Sequence, residues 1–150
     1  MGHTYYAVHE HIVFSTKHRQ PILDKGIQAE LFPYLAAAVR NQGCKCLIVG
    51  GRPEHVHILA GMSPTLLTAE LVKEIKRTSS IWIKSKGNEY RQFNWQVGYG
   101  AFSVSYSNIR GVRDYIASQD AHHREMTWEQ EFRGLLERHG IEFDERYYLD

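Results

Sequence analysis

The sequence contains no apolar run that approaches the length needed to cross a bilayer, so a transmembrane helix is not expected. The N-terminus lacks the charged and apolar regions of a secretory signal, and Gly2 is followed by no Ser or Thr at the myristoylation position. Only two cysteines are present, Cys44 and Cys46, and on a strand they would point in opposite directions, which argues against a disulfide between them. We therefore expect a soluble cytoplasmic protein with free thiols.

A strong overall charge is also lacking, since the formal net charge is +1. A nucleic-acid partner would therefore need a local basic surface. Two clusters of basic residues could form such a surface. One is a stripe at helical spacing, made of Lys73, Lys76, Arg77 and Lys84, and the other is a loop that contains Lys17 and Arg19. The stripe could attract backbone phosphates without sequence preference, or be an ordinary solvated helix face.

What the chain does have is a hydrophobic pattern that alternates between strand and helix periods over one domain, residues 1–150. Strands are predicted over 5–16, 45–49, 54–60 and 93–104, with a turn at 50–53. Helices are predicted over about 26–42, from 63–65 to about 86, from 107 or 108 to about 120, and after a capping box formed by Thr127 and Gln130. The order β-α-β-β-α-β, followed by two helices, predicts an α+β fold with a ferredoxin-like antiparallel sheet. Such a sheet carries helices on one face, and we expect the other face to be free for a site.

Two histidines, His55 and His57, are separated by one residue on a predicted strand. Because side chains on a strand repeat every two residues, both rings should point to the same face and form half of a divalent-metal site. The pattern is weak by itself, since a second one occurs at His9 and His11 and since buried or surface histidines often have no such role. The glycine turn before His55 and the apolar residues after His57 favour the second pair.

Tyr115 and Gln119 are four residues apart on a predicted helix, so they lie on one helical face. A phenol is a poor nucleophile when protonated, and a nearby metal could polarise the group that it attacks. An amide oxygen from Gln119 is a suitable hard ligand for such a metal. On spacing alone, a core tyrosine with a polar neighbour is the favoured interpretation.

Three blocks of this sequence, in this order and at these separations, resemble the single-tyrosine HUH transposases of the insertion sequence 200/605 type. The blocks are GGRPEHVHIL at 50–59, WQVGYGAFSV at 95–104 and YIASQDAHH at 115–123. The resemblance extends from about Tyr6 to Tyr148. It implies a ferredoxin-like fold, a homodimer, and a DNA-associated prokaryotic enzyme that acts on single-stranded DNA hairpins at the ends of a mobile element.

The resemblance also implies roles for four residues. His55, His57 and Gln119 would bind a divalent metal, Mg²⁺ or alternatively Mn²⁺, and Tyr115 would attack the scissile phosphate and form a 5′-phosphotyrosine. In family dimers the tyrosine helix can complete the site of the partner subunit. His11 matches a family position without an assigned metal role. His122 and His123 also match, and capping or packing is the default interpretation for both.

Other functions remain open at this stage. A domesticated or non-catalytic module that binds hairpins or single strands could use the same sheet, although no RNA-binding aromatic signature is present. Replication-initiator or relaxase nucleases share only the histidine block with this chain. A metallohydrolase using His55 and His57 would normally need a longer barrel fold.

Overall fold

The computed structural model describes residues 2–122 and 126–150, and His123 lies outside them. Within these ranges the chain forms four strands and five helices. In chain order they are β1 (His9–Ser15), α1 (Lys25–Asn41), β2 (Lys45–Arg52), β3 (His55–Gly61), α2 (Thr68–Lys84), β4 (Gly100–Val104), α3 (Ile109–Ala117), α4 (Gln119–His122) and α5 (Trp128–Arg138). None of the helices in the described part of the chain combines the length and apolar character needed to cross a bilayer.

The four strands form one antiparallel sheet in the order β2-β3-β1-β4, which confirms the predicted ferredoxin-like architecture. Alternation along the strands gives the sheet two distinct faces. One face, which we call the core face, packs against α1 and α2 and contributes Ile12, Phe14, Val56, Ile58 and Ala60 to the main hydrophobic core. The opposite face, which carries the histidines, is called the site face below.

The site face is not free, and the expectation that it would be uncovered is wrong. The last helix, α5, lays its apolar stripe on this face and forms a second core with Val13 and Phe102. The stripe residues are Trp128, Phe132, Leu135 and Leu136. An amphipathic helix needs a partner surface, and the site face of the sheet is the surface that the first two helices leave available.

Several element boundaries differ from those predicted. Strand β4 begins only at Gly100, because residues 93–99 form a loop with a single bridge between Thr16 and Trp95. Strand β2 continues to Arg52, so Gly50 is paired with His57 instead of lying in a turn. Helix α2 begins at Thr68, later than predicted. The predicted capping box of α5 is confirmed by the reciprocal bonds between Thr127 and Gln130, at 3.2 and 2.9 Å.

Gly50 allows α3 to approach the site face closely. A Cβ atom built at this position would lie 2.6 Å from the carbonyl oxygen of Ile116 and 2.9 Å from its side chain. The backbone of α3 therefore rests directly on β2, next to the strand that carries His57. Tyr115 precedes Ile116, so the small size of Gly50 helps to set the height of Tyr115 above the histidines.

Replacing Gly50 with alanine should destabilise the protein by about 1–3 kcal/mol, since the added methyl group would force α3 away from the sheet. Thermal or denaturant unfolding measures this change. Gly111→Ala is the matched control, because a Cβ at Gly111 meets no atom within 4 Å, and alanine is the better helix former. Equal stabilities of Gly50→Ala and the wild type would show that α3 does not depend on this close approach.

Candidate active site

His55 and His57 lie on the site face of β3, as their spacing predicted, and both are fully buried. The burial comes from the C-terminal helix, because the indole of Trp128 stacks on the His55 ring at a centroid distance of 4.0 Å and an angle of 16°. The two imidazoles point towards each other, and their Nε2 atoms are 3.0 Å apart. A pair of ring nitrogens that converge in this way is a suitable core for a metal site.

The second ring nitrogen of each histidine has its own partner. Nδ1 of His55 lies 2.9 Å from a carboxylate oxygen of Glu54, and Nδ1 of His57 lies 2.7 Å from Nε2 of His11. Burial, together with the nearby His57, lowers the pKa of His11 to about 3, so His11 is neutral at physiological pH. If Glu54 and His11 accept these two bonds, both facing Nε2 atoms carry a lone pair for a metal. Sequence reasoning left His11 without a role and did not consider Glu54.

Tyr115 and Gln119 reach the same cluster, although the helix that was predicted to carry both is interrupted at Ser118 between α3 and α4. The Gln119 side chain is buried, and its Oε1 atom lies 3.0 Å from Nε2 of His55. The Tyr115 ring meets the His57 ring edge-on, at a centroid distance of 5.6 Å. The four residues that the family resemblance named are therefore brought together within one chain.

Glu131 is the residue at this cluster that sequence reasoning missed. It projects from α5, is 2% exposed, and its carboxylate oxygens lie 3.5 Å from Nε2 of His55 and of His57. Together, the three residues offer ligand atoms that all lie within 4.8 Å of one another. The sequence did indicate that Glu131 is unusual. It lies on the same apolar helical face as Trp128 and Leu135, where charged side chains are rarely found.

Glu131 also binds the tyrosine. The Tyr115 hydroxyl donates to Oε2 of Glu131 at 2.5 Å, and Nε2 of Gln119 donates to the same oxygen at 3.3 Å. Burial and the negative charge of Glu131 raise the pKa of Tyr115 well above its usual value. Burial opposes ionisation of Glu131 as well, but its hydrogen bond to His57 and the nearby imidazoles outweigh this, and the pKa of Glu131 is lowered overall. In this arrangement a neutral phenol faces an ionised carboxylate.

The basic stripe predicted on α2 is less continuous than its spacing suggested. The ammonium group of Lys76 turns inwards and donates to the carbonyl oxygens of Gln96 and Gly98, at 2.8 and 2.6 Å, and burial lowers its pKa to about 8. Arg77 binds Glu74 at 2.9 Å. Lys73 and Lys84 are exposed. Because α2 covers the core face, this surface lies on the side of the sheet opposite the histidines.

The basic loop after β1 lies closer to the histidines. Thr16, at the start of this loop, donates its backbone N–H to the carbonyl oxygen of Glu54 at 2.9 Å. His18 and Arg19 adopt left-handed φ angles of 58° and 54°, which are unusual for residues with side chains. The Arg19 side chain lies 3.4 Å from Glu129 of α5. Lys17 is exposed in the same turn.

The chain resembles known proteins in sequence and in fold. The family described as "Transposase IS200 like" matches residues 4–119. A protein from Deinococcus radiodurans R1 assigned as a transposase is 24% identical, with a TM-score of 0.62 over 79% of this chain and 96% of that one. A REP-associated tyrosine transposase bound to a REP hairpin is 16% identical, with a TM-score of 0.61 over 82% of this chain and 73% of that one. No curated protein matches. At these identities the solved structures show a shared fold.

Proposed function

Because the chain belongs to the family of IS200-like transposases, we propose that it cleaves and rejoins single-stranded DNA through a covalent link between Tyr115 and a 5′ phosphate. One observation carries this proposal. A tyrosine hydroxyl, two imidazole nitrogens, an amide oxygen and a carboxylate converge in a single cluster of one chain. These are the groups that a metal-assisted phosphoryl transfer to tyrosine requires.

The proposed reaction is a transesterification. Oη of Tyr115 attacks the scissile phosphorus, the Oη–P bond forms, and the bond from phosphorus to the 3′ oxygen breaks in line with the attack. The departing strand leaves as a 3′ hydroxyl after it takes up a proton. A second 3′ hydroxyl can then attack the phosphotyrosine, which restores the tyrosine and joins the new strands. No water or ATP is consumed, since one phosphodiester is exchanged for another.

The surrounding residues orient the nucleophile. Oε2 of Glu131 accepts a hydrogen bond from the Tyr115 hydroxyl. This carboxylate oxygen is therefore placed to accept the proton as the Oη–P bond forms. His57 meets the phenol ring edge-on and packs against its side. The raised pKa of Tyr115 means that the phenol is protonated at neutral pH, so transfer must be coupled to removal of this proton.

The donor set fits a divalent metal held by His55, His57, Gln119 and Glu131. The imidazole nitrogens suit transition metals, and the carboxylate and amide oxygens suit Mg²⁺ or Mn²⁺. Glu54 and His11, on the far side of the two imidazoles, are placed to fix the tautomers that such a site needs. When bound, the metal would polarise the scissile phosphate and stabilise the charge that develops on it.

Glu131→Gln should weaken Mn²⁺ binding at least about 10-fold, because loss even of an outer-shell partner has this effect and Glu131 provides the charge next to both imidazoles. Isothermal titration of the purified protein with Mn²⁺, and separately with Mg²⁺, measures the change. Glu129→Gln is the matched control, since Glu129 lies on the same helix and pairs with Arg19 instead. Unchanged affinity in Glu131→Gln would remove Glu131 from the metal site.

For the substrate, we propose DNA hairpins at the ends of an insertion element. A structural neighbour is a REP-associated tyrosine transposase bound to a REP hairpin, which supports this class of DNA. The exposed cations Lys17, Lys73 and Lys84 can contact backbone phosphates. Arg19 and Arg77 each form an ion pair with a glutamate. The ammonium group of Lys76 donates to carbonyl oxygens of the loop at 96–98, so Lys76 is the weakest of the predicted DNA contacts.

Assembly as a homodimer stays a prediction, which solution scattering can test. Tyr115 and Gln119 lie beside the histidines of their own chain. Exchange of the tyrosine helix between subunits is therefore not needed to build the cluster. We propose that one chain provides a complete site.

The test of the proposed function is formation of a covalent adduct. The protein is incubated with Mg²⁺ or Mn²⁺ and a single-stranded hairpin oligonucleotide taken from the DNA that flanks its gene, and the products are separated on a denaturing gel. We expect a metal-dependent protein–DNA band that carries the 5′ phosphate of the cleaved strand. Hairpin binding without any adduct would instead support the alternative of a non-catalytic binding module.

A further inference from the structure

A cleft of about 220 Å³ opens beside Tyr115, between α3 and α5 and above β4. Its floor is formed by the buried rings of His11 and Phe102. One wall comes from α3, with Gly111 and Tyr115, and the other from the C-terminal half of α5 and the residue after it. Tyr115 and His11 also belong to the histidine cluster, so the cleft and the site share two side chains.

The cleft has the size and the surfaces of a site for one planar ring. A cavity of about 150 Å³ binds benzene, so 220 Å³ accommodates a single heterocyclic base but not a stacked pair. Aromatic rings line much of it, since Phe102 packs against His139 at 4.5 Å and His11 lies 6.1 Å from both Phe102 and Tyr115. Unpaired bases bind to such aromatic surfaces whatever their sequence.

Polar groups surround this aromatic floor. Ser103, Asn108 and Arg138 line the cleft and are exposed. Hydroxyl and amide groups can bind the edge of a base, and a guanidinium can bind a phosphate. Along α5, Leu135 and Arg138 lie roughly 6 and 10 Å beyond Glu131, since a helix rises 1.5 Å per residue. The cleft therefore lies between Tyr115 and the C-terminal turn of α5.

We propose that this cleft binds the base of the first nucleotide on the 3′ side of the cleavage position, the one whose 5′ phosphate becomes joined to Tyr115. This inference rests on the proposed function and assigns the substrate contact next to its nucleophile. After cleavage, the strand that ends in a 3′ hydroxyl leaves, and this nucleotide stays covalently bound to Tyr115. Tyr115 forms part of one wall of the cleft, so the base of this nucleotide lies next to it. Holding its base would keep the phosphotyrosine in place until the second strand attacks.

The first test varies the DNA. Hairpin oligonucleotides are prepared with an abasic site either at the first nucleotide 3′ of the cleavage position or at the nucleotide on its 5′ side, and the rate of adduct formation is measured. Stacking of one base contributes about 1–3 kcal/mol, so we expect the 3′ abasic site to slow adduct formation roughly 10-fold. The 5′ abasic site should have a smaller effect. An equal rate with the intact strand and the 3′ abasic strand would overturn the assignment.

The second test fills the cleft. A Cβ at Gly111 meets nothing within 4 Å, so Gly111→Leu can place its side chain in the cleft without a clash of its first carbon. We expect this variant to slow the intact substrate about as much as the abasic site slows the wild type, and to lose the distinction between the two substrates. Ala117→Leu, at an exposed position of the same helix outside the cleft, is the control. If Gly111→Leu still discriminated fully, the base would lie elsewhere.

Binding can also be followed without chemistry. A 2-aminopurine at the first 3′ nucleotide should lose fluorescence on binding to Tyr115→Phe, because the base stacks in the cleft, and should keep it when Gly111→Leu is added. This readout remains valid if Gly111→Leu lowers activity for another reason. Unquenched fluorescence would overturn the proposal. If no oligonucleotide formed a Tyr115-dependent adduct, the proposed function itself would be overturned. If the adduct formed at the same rate with and without the 3′ base, only the assignment of the cleft would be overturned.

Discussion

Tyr115→Phe should abolish the covalent protein–DNA adduct, with a loss on the order of 10³-fold or more, while hairpin binding stays within about 2-fold of the wild type. The change deletes one oxygen atom, the only atom of this side chain that can form the link to phosphorus. The ring stays and keeps its edge-on contact with His57. We expect hairpin affinity to depend mainly on phosphate contacts with exposed cations, which the substitution does not touch. A denaturing gel measures the adduct, and filter binding or anisotropy measures the affinity.

The control for this experiment is Tyr106→Phe. Tyr106 is 83% exposed and lies just before α3, so the same chemical change is made close to the site but outside it. It should leave adduct formation unchanged. Cleavage that survives in Tyr115→Phe would exclude Tyr115 as the nucleophile. A Tyr106→Phe variant that lost the adduct while Tyr115→Phe kept it would transfer the role to Tyr106.

Removal of the hydroxyl also takes away the hydrogen bond to Glu131, and this has a separate consequence. The carboxylate keeps its contacts with Gln119 and the two imidazoles. Metal binding should therefore survive in Tyr115→Phe, in contrast to Glu131→Gln. Comparing the two variants by titration separates the nucleophile from the metal ligand, although their side chains touch.

The arrangement of the histidines could be predicted from the sequence because it follows from strand geometry. Alternation places His55 and His57 on one face and Val56 and Ile58 on the other, and the structure has them there. The positions of Tyr115 and Gln119 followed from the family resemblance. Spacing within a helix could not show that their helices would pack on the sheet face that carries the histidines.

The surface that the C-terminal helix covers could not be predicted from the sequence. Its apolar stripe and its capping box were correctly predicted, but a stripe does not specify which surface it will cover. The family model matches residues 4–119 and the three blocks that carried the resemblance end at residue 123, so neither gave a role for Glu131 or Trp128. Both residues cover the histidines, which turns an expected surface site into a buried one. The inward turn of Lys76 towards the loop carbonyls could not be predicted for a similar reason, since it is a tertiary contact.

Burial changes what the metal site requires of the protein. Two imidazoles and a carboxylate are costly to remove from water, and here they lie within 3.5 Å of one another. A divalent cation would add positive charge next to the carboxylate of Glu131. A substitution among these residues should therefore affect metal binding more than it affects the exposed cations Lys17, Lys73 and Lys84, which lie outside the cluster.

His57→Ala should accordingly abolish cleavage, by on the order of 10³-fold, because a Lewis acid contributes several kcal/mol to such a transition state. His57 faces His55 through Nε2 and contacts Glu131, so its loss would remove a central ligand of the proposed metal site. Hairpin binding should persist. Chelation of the wild-type protein with EDTA should reproduce the effect, and Mn²⁺ should restore activity to the chelated wild type but not to the variant.

His9→Ala is the matched control for this prediction, because His9 belongs to the other H-x-H pair of the sequence. Its ring lies beside Gly61 at the far end of β3, where it has no part in the metal cluster. It should leave cleavage and Mn²⁺ affinity unchanged. Because His57 is fully buried, circular dichroism and thermal unfolding must accompany the assay. His57→Leu, which fills the space of the ring but offers no ligand atom, provides a second variant. Cleavage retained in either folded His57 variant would remove His57 from the site and leave Glu131 and His55 as the remaining candidates for its role.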